Sequence, residues 1–150
     1  MSYEHRIRMK VEQQGEYECM LVAIAALSSR PLAEIREVAC TRAGVKEWSE
    51  IALIEDTVLP VLLYLMSRFK VRGLPKVPVS LMVPPKDPQR AVSKGQGSMT
   101  ILEPRGAFAH ILLFEDGLLY DPEHADNPVL FDDLSIHYMG WKIVDVTRAW

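Results

Sequence analysis

Cysteine is scarce in this chain: Cys19 and Cys40 are the only two in 150 residues. So few thiols exclude a disulfide-built scaffold and leave room for at most one bridge. Concentrated positive charge is missing too. Seventeen Lys and Arg against twenty Asp and Glu give a formal charge of -3, which supplies no general attraction to nucleic acid. Arg6, Arg8 and Lys10 alternate with Ile7, Met9 and Val11, the pattern of a solvated strand face rather than of a phosphate track. Long hydrophobic runs are absent as well. No stretch approaches the ~20 apolar residues of a spanning helix, and residues 1–10 carry no apolar segment of a secretion signal. The expectation is a protein of a reducing, cytoplasmic compartment that neither inserts into membranes nor binds nucleic acid. There is no internal repeat or low-complexity tract, so solenoids and arrays are excluded.

What remains is the composition of an ordinary globular domain, 49% hydrophobic and 25% charged. A chain of 150 residues can bury one real core, and we expect a single domain over 1–150. Residues 3–13 alternate weakly and read as an edge strand. The run 20–27 (MLVAIAAL) has no polar face, so as a helix from about Cys19 to Ser28 it must be surrounded by protein. Leu32, Ile35, Val38 and Ala39 are spaced as on an amphipathic helix over 32–43, closed by Gly44. Helix returns over 48–70, with Pro60 expected to begin or kink its main part.

After Gly73 the prolines at 75, 78, 84, 85, 88 and 104 exclude long helices. Residues 77–83 and 98–102 read as short strands, and the polar stretch 84–97 as a mobile surface loop. Residues 107–114 and 118–120 flank Glu115-Asp116-Gly117, the signal of a tight hairpin. A helical turn at 131–134 and a last strand at 141–146 complete the chain. Helices first and strands later give an α+β fold, a helical layer on a mostly antiparallel sheet.

Chemistry concentrates in a few residues. Cys19 stands at the start of the buried helix, where free N–H groups favour an anion and hence the nucleophilic thiolate; by itself it also reads as a small buried hydrophobe, as most single cysteines are. Cys40, on the apolar stripe of the second helix, reads as core. A thiol nucleophile needs a base, and the base needs a partner that holds its ring. The hairpin offers both. If Asp116 and Gly117 are the loop, Glu115 pairs with Leu118 and Leu112 faces Asp121, so His110 and Asp121 become diagonal neighbours on one face. His110 as a structural strand histidine and Asp121 as a turn opener stay open on this reading. His5, His124 and His137 have weaker settings. A metal set from His110, Asp121, His124 and Asp126 has no recognised ligand spacing.

Gln13, five residues, Cys19 and an apolar helix, followed by a Pro-initiated second helix (RPLAEIREVA) and then by His110 in an apolar strand and Asp121-Pro122 after a hairpin, resemble the papain-like cysteine peptidases. The similarity is greatest to the leader-processing peptidase domains of bacterial peptide exporters and their free-standing relatives. It covers most of the chain in element order. The resemblance implies a papain-like fold and hydrolysis of a peptide or isopeptide bond, in a peptide or protein substrate, through a thioester on Cys19. His110 would be the general base and then acid, and Asp121 would orient it. Gln13 would join the Cys19 backbone N–H in an oxyanion hole. No cofactor or metal is implied. Met20 departs from the family's glycine after the cysteine, and Glu16 and Glu18 place negative charge beside the thiol. A binding protein that has lost turnover, or an acyltransferase using the same residues, are the alternative readings.

Overall fold

The computed structural model describes residues 11, 12, 15, 17–123 and 128–149. The expected edge strand at 3–13 falls largely outside them. Helix α1 (Cys19–Ser28) is built from good helix formers and ends where Ser29 turns left-handed, its N–H bonding the Ala25 and Ala26 carbonyls. Leu21, Val22, Ala23, Ile24 and Ala25 are all buried, as an apolar helix without a polar face requires. It packs against α2 (Leu32–Ala43), α3 (Glu55–Arg68) and the sheet. Pro31 precedes α2 and Gly44, at φ 72°, ends it.

Two expectations fail in the middle of the chain. Residues 48–70 are not one helix: a 3-10 turn at Trp48–Glu50 is followed by α3, which starts at Glu55. Pro60 neither begins nor breaks α3; it lies inside it, while Val61, Leu62, Leu65 and Met66 anchor the same helix in the core. The missing proline N–H would have bonded Asp56, in the first turn. The run 77–83 is no strand either. It forms a 3-10 turn at Val79–Leu81, because Pro78 and Pro84 remove ladder donors on either side.

The polar stretch 84–97 is also more ordered than expected. Asp87 accepts the Arg90 N–H and starts the one-turn helix α4 (Pro88–Ala91), Val92 is buried, and Gln96 already opens β1. Five strands follow, all antiparallel: β1 (Gln96–Leu102), β2 (Ala109–Glu115), β3 (Leu118–Tyr120), β4 (Val129–Leu130) and β5 (Lys142–Arg148), in the order β4-β3-β2-β1-β5. β4 had no clear signal in the sequence. The fold is α+β, with the three long helices and the one-turn α4 before the strands and the short α5 (Ser135–Tyr138) between β4 and β5.

The β2–β3 hairpin has the expected register, Glu115 opposite Leu118. Asp116 and Gly117 both have positive φ, 47° and 89°, as a type I′ turn demands. Alternation along the strands then separates two cores. Ile111, Leu113 and Tyr120 join the helices, whereas Met99, Ile101, Leu112, Phe114 and Leu119 pack on the opposite face under Val92 and Tyr138. Burial on both sides explains why β2 reads as a continuous apolar run. Among the described residues no helix is long and apolar enough to cross a membrane.

Candidate active site

Cys19 is the first residue of α1, half-buried and free. Helix geometry leaves its first N–H groups without helical partners, and the side chain of Glu18, the residue at the cap, does not bond them. Tyr17, just before, is held at φ 57°, a left-handed conformation that costs a non-glycine residue about 1–2 kcal/mol. The Trp48 indole N–H donates to the Tyr17 carbonyl at 3.1 Å, and so holds the turn that delivers the thiol.

The sheet delivers the rest. His110, near the start of β2, is buried, and its Nε2 lies 2.7 Å from Asp121 Oδ1. Cys19 is close enough to the imidazole to act on its charge; with Nε2 engaged by Asp121, Nδ1 is the ring nitrogen left for the thiol. Asp121, just past β3 and 3% exposed, accepts two further bonds. The Glu123 N–H donates to Oδ1 at 2.9 Å and the Tyr138 hydroxyl to Oδ2 at 2.5 Å. The Tyr138 ring stacks on the imidazole, with centroids 5.5 Å apart and planes 26° from parallel, and meets Trp141 edge-on. The result is a chain of contacts from Cys19 through His110 and Asp121 to Tyr138.

The electrostatics follow from these contacts. Burial opposes a charge on His110, but its interactions with Asp121 and Cys19 outweigh it and push its pKa up to about 10. Burial likewise works against the Asp121 carboxylate; the bonds from His110 and Tyr138 prevail and hold it below the usual range. Burial and then the neighbouring Asp121 carboxylate raise Tyr138, keeping it a hydroxyl donor. The arrangement is thus an imidazolium held against a carboxylate, with the Cys19 sulfur on its other side.

Cys19 and His110 line a cleft of about 780 Å³ and, beside it, an apolar cavity of about 130 Å³. Met20 lines both, so its side chain is part of the boundary between them. Tyr138, Trp141 and His137 also line the cleft.

Of the residues singled out in the sequence, Cys19, His110 and Asp121 come together. Gln13 lies outside the described residues, as do Glu16, His5, His124 and Asp126. His137 is exposed at the cleft. Cys40 is buried in the helical core, where burial and then the Glu18 carboxylate raise its pKa. Sequence reasoning missed Tyr138 and Glu123. Donor atoms of His110, Asp121 and Glu123 lie within 4.8 Å of one another, close enough to hold an ion. Yet His110 and Asp121 bond each other and the second ring nitrogen serves Cys19, so these donors suit a proton relay better than a metal. Compared with protein-family models, with curated proteins and with solved structures, the chain matches none.

Proposed function

We propose that this chain is a papain-like thiol hydrolase that cleaves an amide bond through a thioester on Cys19. The single observation that carries the reading is the Cys19–His110–Asp121 chain opening on a cleft. Sγ of Cys19, its proton taken up by His110 to make the imidazolium, attacks the substrate carbonyl carbon, and a tetrahedral oxyanion forms. The Cys19 backbone N–H, at the helix start, is placed to stabilise it; Gln13 is its second donor on the strength of the family resemblance. His110 then gives its proton to the leaving amine as the C–N bond breaks. Water attacks the thioester, His110 takes its proton, the C–S bond breaks, and the acid leaves.

The lining bears on the substrate. The described residues around the large cleft include Glu55, Glu103 and Glu123 and no Lys or Arg, so an apolar segment carrying basic residues fits better than an acidic one. The small cavity, lined by Val58, Leu62, Val79 and Met82 among others, is near the size that holds a benzene ring and suits one apolar side chain.

The test is the iodoacetamide alkylation rate of each cysteine at neutral pH, read by peptide mass spectrometry. Cys19 should react far faster than Cys40, and His110→Ala should erase the difference. Equal, slow rates in the native protein would overturn the reading and leave a peptide-binding module. Cleavage of a peptide library with and without an added amine then separates hydrolysis from acyl transfer.

A further inference from the structure

We propose that the ion pair between Arg36 and Glu18 is a positioning device for Cys19: it holds the Glu18 carboxylate against the Gly15 N–H and so fixes where the thiol meets His110. This rests on the thiol-hydrolase reading above. Glu18 directly precedes the nucleophile, is 5% exposed, and does not line the cleft. Its Oε1 accepts the Gly15 N–H at 2.7 Å and Arg36 Nη2 at 2.8 Å, while Oε2 accepts Arg36 Nε at 2.5 Å. A two-pronged guanidinium grip fixes direction as well as distance.

The anchor is rigid. Arg36 stands on α2 between Ile35 and the buried pair Ala39 and Cys40, which pack into the helical core. The turn is tied a second time by Trp48 at the Tyr17 carbonyl. Between the two ties Tyr17 keeps its left-handed backbone, a conformation that persists where surroundings over-determine it. Glu18 also begins α1, its carbonyl accepting the Val22 N–H at 2.9 Å. One residue therefore closes the turn with its side chain and starts the helix with its backbone, so any movement of Glu18 moves Cys19.

The grip also answers the charge that the sequence places beside the thiol. A bare carboxylate there would repel a thiolate; Arg36 neutralises it, and its hydrogen bonds hold Glu18 below the usual carboxylate range. Gly15 completes the device. A Cβ at Gly15 would come 2.6 Å from Glu18 Oε1, so Gly15→Ala displaces the carboxylate without altering any charge.

The experiment compares Arg36→Ala, Arg36→Lys and Gly15→Ala with the native chain. It uses three readouts: amide hydrogen exchange at Gly15 by NMR, iodoacetamide rates at Cys19 and Cys40, and thermal stability. All three variants should speed exchange of the residue-15 amide. Arg36→Ala and Gly15→Ala should slow Cys19 alkylation at least about tenfold, the scale on which misplaced reacting groups lose rate. Cys40 should be unaffected. Arg36→Lys, which restores charge but not the two-pronged grip, should recover only part of the rate.

Unchanged Gly15 exchange in Arg36→Ala would overturn the clamp. Faster exchange with an unaltered Cys19 rate would overturn the positioning role and leave a structural tie. If Arg36→Ala fails to fold, Arg36→Lys and Gly15→Ala decide by the same criteria. A native Cys19 no faster than Cys40 would instead sink the hydrolase reading. Gly15 exchange and the Cys19 amide shift would then judge the clamp, and no change in either would overturn it.

Discussion

The two cysteines occupy neighbouring helices and differ in everything except the thiol. Cys40 lies on the core side of α2, where burial and the Glu18 carboxylate raise its pKa. Cys19 begins α1, half-buried at the wall of a cleft that His110 also lines, and acts on the charge of that imidazole. The lesson is that a helix of the same layer makes a thiol inert or useful according to which end of it the thiol occupies and what the sheet brings opposite. Cys19 has an imidazole beside it because β2 begins near the start of α1; Cys40, in the last turn of its helix, packs into the helical core.

Breaking that comparison at its strong end should have the largest effect. Cys19→Ala should abolish turnover, a loss on the order of 10⁶-fold in kcat, with the circular dichroism spectrum unchanged. His110→Ala should cost nearly as much and should also bring the alkylation rate of Cys19 down toward that of Cys40. The same residue gives a pH signature. Its folded pKa, about 10, lies above the ordinary value of 6.5, so its contribution to stability is complete below about 6.5 and is lost as pH rises toward 10. Urea unfolding of the native chain should therefore weaken across that window, and His110→Ala should flatten the slope.

Smaller changes sharpen the contrast. Asp121→Asn keeps an acceptor for the imidazole N–H but removes the charge that favours the imidazolium. The His110 titration, followed by NMR, should move down from about 10, and activity should fall less than in His110→Ala. Tyr138→Phe keeps the ring stack and deletes one hydroxyl bond to Asp121. A bond of that kind is worth about 1.5 kcal/mol, so kcat should drop about tenfold. Cys40→Ser closes the series. It should leave the activity alone and cost about 1–2 kcal/mol of stability, the burden of burying a hydroxyl, in a denaturant titration.

Much of the architecture was legible because local signals agreed with packing. The bounds of α1 and α2 follow from an apolar run, a proline and a glycine. The hairpin register follows from Asp116-Gly117, which also placed Asp121 diagonal to His110. Where the reading failed, tertiary contacts overrode local pattern. Pro60 is tolerated because α3 is fixed by its buried face, and 84–97 is tied down by Asp87 and Val92 despite its polar composition. Tyr138 was invisible for another reason: its role depends on how the segment after β4 folds back over the sheet, and no periodicity in residues 131–141 announces that. Glu18 was legible as a charge but not as a paired one, since its partner is on another helix.

The division of the site between α1 and the β2–β3 hairpin also has a consequence for how the protein assembles. Cys19 and His110 are separated along the chain by most of the domain, so no local turn or helix can bring them together. Their contact closes a long loop, the kind of event that comes late in folding because its entropy must be paid before it is rewarded. A helical layer formed first would carry an unactivated thiol. Alkylation of Cys19 during refolding would thus time the docking of sheet on helices, and any partial opening that parts the two layers would silence the site long before the chain unfolds.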